Sequence, residues 1–580
     1  MTSRSPSPIP QPRSLEPYHS LLTTKLNSPQ CDLTRPNCER CRKAGIQCRY
    51  DEHRNFVKAS PSSSDGAETV LFNVQTLSLE DHPRIPDLTL LPNYLHNSTC
   101  HEQHYQLALD VLLPGGKPSP QCQARFPLNS WIFIAHKFYG EHAALRKSIA
   151  AITLSGLGRR DGKPELMKLG LKLYVEALGE VRQNLLAIYG HDSGALVVAA
   201  RCLASYEVLY GAETEKQKGL SQVKSWHGHN LGEVALLTSR PATVFAIGRD
   251  HQIFVDGRMQ LTITACTTRK RTFLNDQQWR TVPWSVKPKT SRDLLIDILI
   301  QIPPILEDYD ALKKSPPSAP PAEGAASHTA GAIAWCKASC SSLLEECSRV
   351  EAELATWWDN HAPHASYEGL RARGFVRPTT DELVFTHFLT VYWTACVFLY
   401  NTMRMLRLML QQDDLGATGT AGNGSVETRF NAEEMDNITP ARIQQAQELA
   451  YQQKVPNSAA LHNIHEKAAA PADANKDDDN FSKGPSFSQL LDPRHPYTYC
   501  NHIAEAMEAF FQPEAGTFGA FNAPFPMGAS FGYLISCGDD KGMGSPVWNK
   551  TVGYFGRGEV GKALELFLLG HLTQWQEVAR

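Results

Sequence analysis

One stretch of the chain decides the fold class: residues 164–189 read PELMKLGLKLYVEALGEVRQNLLAIY. Apolar residues recur in it every three or four positions, as they do on one face of an α-helix. They are Leu166, Leu169, Leu173, Ala177, Leu178, Val181, Leu185 and Ile188. The opposite face carries Lys168, Lys172, Glu180 and Gln183. Because Pro164 also suits a first helical turn, the stretch predicts an amphipathic helix packed on a core.

The segments on either side repeat this pattern. Residues 142–157 and 195–210 are also helix-like, and only short loops separate them from 164–189. Consecutive helices with short loops pack as antiparallel neighbours. The sequence therefore predicts a mostly α protein, a helical bundle or solenoid with a small N-terminal element and disordered linkers.

Composition divides the chain into segments of different apolar density. Helical patterns predict a first helical part, a second part and a C-terminal part at 96–312, 332–410 and 488–580. The low-density segments are a disordered N-terminus, two linkers and a disordered insertion, at 1–30, 52–95, 313–331 and 411–487. Residues 31–51 remain as a short element tethered to the helical body.

Bulk composition excludes several classes of protein. The 580 residues carry a formal net charge of -3, so a nucleic acid can be contacted only through a local basic patch. The 14 cysteines are few for this length, and the Ser- and Pro-rich N-terminus has no apolar core of the signal-peptide type. We therefore expect free thiols in a reducing compartment.

Residues 383–403 carry no formal charge and are about as long as a bilayer-spanning helix. They include His387, Tyr392 and Asn401, which are costly in lipid but ordinary inside a large helical domain. We therefore predict a buried core helix and no membrane partner.

Four cysteines stand close together near the N-terminus with the spacing C-x6-C-x2-C-x6-C: Cys31, Cys38, Cys41 and Cys48. Thiolates are soft ligands, and four of them close a tetrahedral zinc site. Basic residues lie among and beside them, namely Arg35, Arg40, Arg42, Lys43 and Arg49. These cations stabilise the thiolates and can also meet phosphates. Redox chemistry at the C-x2-C pair is the alternative, but it needs a βαβ context that the sequence does not indicate.

Residues 31–51, CDLTRPNCERCRKAGIQCRYD, resemble the second half of the two-zinc, six-cysteine cluster of fungal transcription factors. The match includes Pro36 in the loop that joins the two halves and Tyr50 after the last cysteine. The resemblance implies a zinc-dependent regulator of RNA polymerase II genes in the nucleus, without enzymatic activity. It also implies DNA with CGG triplets, a second copy of the chain and transcriptional co-regulators as partners.

The N-terminal half of that cluster differs from the family. The family's first two cysteines would stand at positions 22 and 25, where this chain has Leu22 and Lys25. The basic run that the family uses to read bases is replaced by residues 26–30. The abrupt change after Gln30 favours a coding sequence assigned from the wrong exon over a genuine loss of half the cluster.

Three basic residues of the cluster are candidates for DNA contact: Arg40, Arg42 and Lys43. Base readout needs side chains that reach base edges, whereas these residues are better placed to hold phosphates. These three residues are therefore predicted to contact the phosphate backbone and not the base edges.

The helical body resembles the fungal-specific regulatory domain found downstream of such clusters. The shared motifs are Ala144-Leu-Arg-Lys147, Trp226-x-x-His229-x-x-Gly232, Thr272-Phe-Leu274 with Trp279, Tyr392-Trp393, and Gln512-Pro-Glu-x-Gly-Thr-Phe-Gly519 before Pro524-Phe-Pro526. We interpret Trp226 and His229 as core residues and assign them no chemistry.

Two other motifs favour an enzyme or a metal site only weakly. Gly528-Ala-Ser530-Phe-Gly532, with Asp539 and His571, matches the order of an α/β-hydrolase, but Pro524 and Pro526 exclude the strand that must precede the serine. His462, His465 and Glu466 lie in the predicted insertion and lack a third strong ligand. Cys336, Cys340 and Cys347 share an apolar helix face with Ile333, Leu343 and Leu354 and are predicted to be core residues.

The sequence thus leaves three functions in order of preference. The first is a DNA-binding transcription factor whose helical region receives a signal or binds partners. The second is a helical interaction protein with a degenerate zinc cluster and no sequence-specific DNA binding. The third is a hydrolase.

Overall fold

The computed structural model describes residues 142–186, 193–211, 220–314, 326–417, 492–537 and 542–555. It also places isolated positions at 107–109, 111–113, 125, 135, 445, 557, 564–565 and 567–568. Over these residues 86% are helical, and none of them lies in a β-strand. The predicted mostly α class is confirmed for this body, whereas the N-terminal element at 31–51 lies outside the described residues.

The first four helices are α1 (Ala143–Arg160), α2 (Pro164–Leu186), α3 (Ser193–Tyr210) and α4 (Leu220–Thr238). Helix α2 begins at Pro164, as predicted, and its apolar stripe is buried or partly buried in the main core. Gly162, with φ +63°, makes the turn that reverses the chain between α1 and α2. The two helices approach closely because Gly170 lacks a side chain; a Cβ there would lie 2.8 Å from the carbonyl oxygen of Ala151.

The middle of the body contains α5 (Gly248–Thr268), α6 (Gln277–Thr281), α7 (Ser291–Leu299) and α8 (Ile302–Lys314). Short 3-10 helices lie before α5 at Ala242–Ala246, between α5 and α6 at Phe273–Asn275, and between α6 and α7 at Val282–Trp284. Helix α7 begins with a capping box, in which the Thr290 hydroxyl accepts from the N–H of Asp293 and the Asp293 carboxylate accepts from the N–H of Thr290. This cap fixes the first turn of α7, which contains the buried residue Arg292.

The remaining helices are α9 (Ala326–His361), α10 (His364–Ala372), α11 (Thr380–Ala417), α12 (Pro496–Phe510), α13 (Gly516–Asn522), α14 (Pro524–Ser536) and α15 (Pro546–Gly553). Helix α11 packs against α8, α9, α10, α12 and α14 and forms the centre of this part. Its segment Thr380–Gln411 is long and apolar enough to cross a membrane, but 89% of its most apolar window is buried inside the protein. It therefore occupies the interior, as predicted.

Two helices extend past the segment boundaries expected from composition. Helix α9 begins at Ala326, inside the predicted linker 313–331, because the proline run ends at Pro321 and no further proline interrupts the chain before Pro363. Helix α11 continues to Ala417, because residues 411–415 contain no Gly or Pro to end it. The remainder of the linker and of the insertion falls outside the described residues.

Candidate functional site

The predicted zinc ligands lie outside the described residues. This applies to Cys31, Cys38, Cys41 and Cys48 and to the basic residues Arg40, Arg42 and Lys43. In the part of the chain that the structure describes, no group of three or more His, Cys, Asp or Glu side chains could hold a metal ion. Zinc binding at the N-terminal element therefore stays a prediction.

The cysteines of the helical body have the character of core residues. Cys340 and Cys347 are buried and Cys336 is half-buried, which confirms the predicted apolar face of α9. Burial raises the pKa of the Cys202 thiol and of the Cys347 thiol to about 12. Because the thiolate is the reactive form, these thiols are poor nucleophiles and poor metal ligands.

Trp226 and His229 lie on α4; Trp226 is buried, as predicted, and also lines the cavity described below, whereas His229 is half-buried. Trp226 is 3% exposed, and the Nε2 atom of His229 lies 3.1 Å from the Tyr174 hydroxyl. Burial lowers the pKa of His229 to about 4, so the ring is neutral at physiological pH. The Tyr174 hydroxyl in turn donates to Glu207, whose pKa burial raises to about 7.

Ser530 does not stand on a strand-to-helix elbow. It lies inside helix α14, fully buried, and helix α13 precedes that helix. Pro524 and Pro526 fall in the first turn of α14, where a proline disturbs no helical hydrogen bond. Asp539 and His571, the other residues of the hydrolase motif, and the group His462, His465 and Glu466 lie outside the described residues.

A cavity of about 110 Å³ lies where helices α3, α4, α5, α7, α11, α13 and α14 meet. The volume is several times the roughly 10–15 Å³ that one water molecule needs. Three of its lining residues are basic side chains from separate helices, Arg201 of α3, Arg292 of α7 and His387 of α11, and the acidic side chain of Asp256 on α5 also lines it. The space is therefore large enough for a small organic molecule.

The polar end of the cavity is built by these three side chains, which are only 2–3% exposed. Among the residues that the structure describes, four atoms on them have no hydrogen-bond partner: Arg201 Nη1, Arg292 Nε, and Nδ1 and Nε2 of His387. Most buried polar atoms in proteins are paired. Burial, and next the nearby charge of Arg292, lower the pKa of His387 to about 3. The imidazole is therefore neutral, with one N–H to donate and one lone pair.

Each arginine is anchored on its other side. Arg201 pairs with Glu233, which is fully buried, and its Nη2 donates to the carbonyl oxygen of Ile253 at 2.9 Å. Arg292 donates to the carbonyl oxygens of Val255 and Asp256 at 3.0 and 3.1 Å. Both guanidinium groups are thus fixed on the backbone of α5, and Arg201 Nη1 and Arg292 Nε are left without a partner among the described residues.

Gly257 on α5 makes this arrangement possible. A Cβ at this position would collide with Arg201 Nη2 and Glu233 Oε1. The buried pair therefore uses the space left by the missing side chain.

A second ionic cluster lies at the next residue of α5. Arg258 is fully buried, pairs with Asp293 and Asp297, and lies 4.3 Å from the centre of the Trp284 ring. Lys289 also pairs with Asp297. Arg258 belongs to the same helix as Asp256 and Gly257, so this cluster helps to hold α5 against α7.

The other end of the cavity is apolar and rich in aromatic rings. Phe518 and Phe521 come from α13, and Phe525 and Phe531 from α14. The Phe518 ring stands edge-on to the His387 ring, with 6.0 Å between their centres. The cavity is thus amphipathic, because its lining combines basic side chains with aromatic rings.

The sequence pattern did not predict this site because its residues are spread from position 112 to position 568. One signal was available: Arg201 and His387 interrupt long apolar stretches that read as buried helices. A buried charge in such a stretch is a site candidate, but its partners cannot be identified before the helices are packed.

Comparisons with known proteins add no assignment: no protein-family model, no curated protein and no solved structure matches this chain.

Proposed function

We propose that this chain is a zinc-dependent transcription regulator of RNA polymerase II genes in the nucleus, in which residues 31–51 bind zinc and contact DNA. The helical body is its regulatory region. The observation that carries the proposal is the spacing of Cys31, Cys38, Cys41 and Cys48 with basic residues between them.

The chemistry of the donor set fits zinc. Four thiolates from one short segment complete a tetrahedral site without any other part of the protein. The flanking Pro-, Ser- and Gly-containing sequence offers no apolar core that would otherwise bury four cysteines. Because the ligated ion and its thiolates are net negative, the neighbouring arginines stabilise the site and extend its reach to phosphate.

The helical body supports a regulatory role more than a catalytic one. Its buried thiols have raised pKa values, and Ser530 lies within a helix rather than on a nucleophile elbow. It contains instead a cavity lined by buried donors that have no partner among the described residues, which is a feature of binding sites.

Metal analysis of the purified full-length chain tests the first step. We expect about one zinc ion per chain for four thiolates, and loss of that zinc in Cys38→Ser/Cys41→Ser. The matched control is Cys336→Ser/Cys340→Ser, which replaces two cysteines of α9 that lie in the helical body and do not belong to the four-cysteine cluster. Equal zinc in all three proteins would disprove the assignment of the ligands.

A salt-titrated DNA-binding measurement on the same full-length chain tests the second step. We expect the triple variant Arg40→Gln/Arg42→Gln/Lys43→Gln to lower the slope of log K against log salt by roughly 2–3, since each lost phosphate contact removes about 0.9. CGG-containing and scrambled duplexes are compared side by side.

A helical interaction protein that lacks specific DNA binding is the second candidate. The absence of a basic run between residues 26 and 30 favours it. Equal affinity for CGG-containing and scrambled duplexes, with zinc still bound, would select this candidate over the first.

A further inference from the structure

The strongest unassigned feature of the helical body is the set of unsatisfied donors at the polar end of the cavity. Arg201, Arg292 and His387 come from three different helices, and each is nine-tenths or more buried. Within the described ranges, Arg201 Nη1, Arg292 Nε and the two ring nitrogens of His387 are unpaired. Leaving such atoms buried and unpaired costs stability, which a bound partner rich in acceptors would recover.

The chemistry of these atoms selects the partner. Arg201 Nη1 and Arg292 Nε can only donate, and the neutral His387 ring donates once and accepts once. A carboxylate offers two oxygens with about four lone pairs, and its hydrogen bonds to guanidinium are strong. Among the atoms of these three residues that are unpaired within the described ranges, donors therefore outnumber acceptors, as a carboxylate requires. The Asp256 carboxylate, which also lines the cavity, lies 3.9 Å from Arg292 Nη1.

The charge of the surroundings limits the ligand to a single negative charge. The buried cluster contains four cations and four carboxylates, namely Arg201, Arg258, Lys289 and Arg292 with Glu233, Asp256, Asp293 and Asp297. Because these charges balance, a dianion such as a phosphate monoester would add a large uncompensated charge to a buried site. A monoanion adds the smallest uncompensated charge that still pairs with a guanidinium group.

The apolar end selects the rest of the ligand. Phe518, Phe521, Phe525 and Phe531 present aromatic rings to the cavity, and Met259 and Ile263 of α5 close it on the other side. Aromatic rings prefer offset-stacked or edge-to-face neighbours, so a flat ring fits better here than a bulky aliphatic group.

We infer that this cavity is a binding site for a small aromatic monocarboxylate, with its carboxylate held by Arg201, Arg292 and His387 and its ring among the phenylalanines of α13 and α14. The inference goes beyond the proposed function. The experiment that tests it measures ligand binding by the helical body, which does not depend on zinc or on DNA.

Isothermal titration of the full-length chain with 2-naphthoate tests the class of ligand. Three comparison compounds are 2-naphthamide, which lacks the charge, 2-naphthyl phosphate, which carries a second charge, and octanoate, which lacks the ring. We expect 2-naphthoate to bind at least tenfold more tightly than each of them. Equal or tighter binding of the amide or the phosphate would overturn the assignment of a carboxylate ligand. Tighter binding of octanoate would overturn the assignment of an aromatic ligand. No binding at millimolar 2-naphthoate would overturn the site itself.

Variants at His387 test the location. His387→Leu replaces the imidazole with an apolar side chain of similar size and is expected to lose at least tenfold in affinity for 2-naphthoate. His387→Gln keeps a donor and an acceptor and should retain part of the affinity. The matched control is His251→Leu, which removes another buried histidine, on α5, whose Nδ1 is already bonded to the carbonyl oxygen of Phe245 at 2.9 Å. Unchanged affinity in folded His387→Leu, or an equal loss in His251→Leu, would overturn the location.

Discussion

Two regions of the helical body each bury a histidine, and the two histidines differ in their hydrogen bonding. His251 lies beside Trp284, and its Nδ1 contacts the carbonyl oxygen of Phe245 at 2.9 Å. His387 lies at the cavity, and neither of its ring nitrogens has a partner in the described part of the protein. Both rings are more than nine-tenths buried. The difference shows that burial alone does not distinguish a structural histidine from one available to a ligand.

The surroundings of the two histidines explain the difference. Around His251, the rings of Phe245, Phe254, Trp279 and Trp284 pack on one another at centre distances of 5.4–5.8 Å. At His387 the aromatic rings line an open volume instead. The Trp284 region is thus a packed core, and the cavity is a preformed site.

The largest effect is expected at the ion pair that fixes the cavity. Glu233→Leu leaves Arg201 buried without its partner and should lower the free energy of unfolding by about 3–5 kcal/mol. The double variant Arg201→Met/Glu233→Leu removes both charges and should recover most of that loss. Urea denaturation checks both values, and a double variant as unstable as the single one would contradict the pairing.

A smaller effect is expected at the glycine beneath this pair. Gly257→Ala places a Cβ against Arg201 Nη2 and Glu233 Oε1 and should cost about 1–3 kcal/mol of stability through overpacking. The control is Gly228→Ala on α4, where a Cβ would meet nothing within 4 Å. That change should stabilise the protein by up to about 1 kcal/mol, because alanine favours the helix. Similar thermal unfolding of the two variants would argue against the close approach at Gly257.

Replacement of each histidine by leucine should change the free energy of unfolding in different directions. His251→Leu breaks a buried hydrogen bond and leaves the Phe245 carbonyl oxygen unpaired, so we expect a loss of about 1–3 kcal/mol. His387→Leu removes polar atoms that are unpaired within the described residues, so the free protein should be equally stable or more stable by about 1 kcal/mol. Chemical denaturation without ligand provides the measurement. A loss at His387 as large as that at His251 would mean that its ring is satisfied.

The smallest effect is a pH dependence assigned to His387. Burial, reinforced by Arg292, lowers its pKa to about 3, whereas an unfolded histidine titrates near 6.5. Between these values the unfolded chain binds more protons, so stability falls as the pH falls. From about pH 7.5 to about pH 5.5, wild type should lose about 1 kcal/mol that His387→Leu does not lose.

Comparison of the two proteins is needed because other groups titrate in the same range. Burial raises the pKa of Glu207 to about 7, so its contribution to stability falls as the pH rises and has the opposite sign. This contribution is common to wild type and variant and cancels in their difference. Parallel stability curves for the two proteins would contradict a depressed pKa at His387.

The fold class could be read from the sequence because it depends on local periodicity. The apolar spacing from Leu166 to Leu185 predicts a helix with one buried face, and α2 begins at Pro164 as expected. The same periodicity predicted a buried face for Cys340 and Cys347 on α9. Boundaries such as Ala326 and Ala417 were harder to predict, because helix ends depend on weak preferences of a few residues.

The sequence by itself determined the mostly helical class and the buried character of its apolar faces, and it supplies the four-cysteine pattern on which the zinc prediction rests. Only the tertiary structure decided that Arg201, Arg292 and His387 meet at one cavity, because they belong to three helices separated by up to 186 residues. Their significance lies in which of their atoms remain unpaired after packing. That property depends on where neighbouring helices place their carbonyl oxygens and side chains, and no periodicity along the chain encodes it.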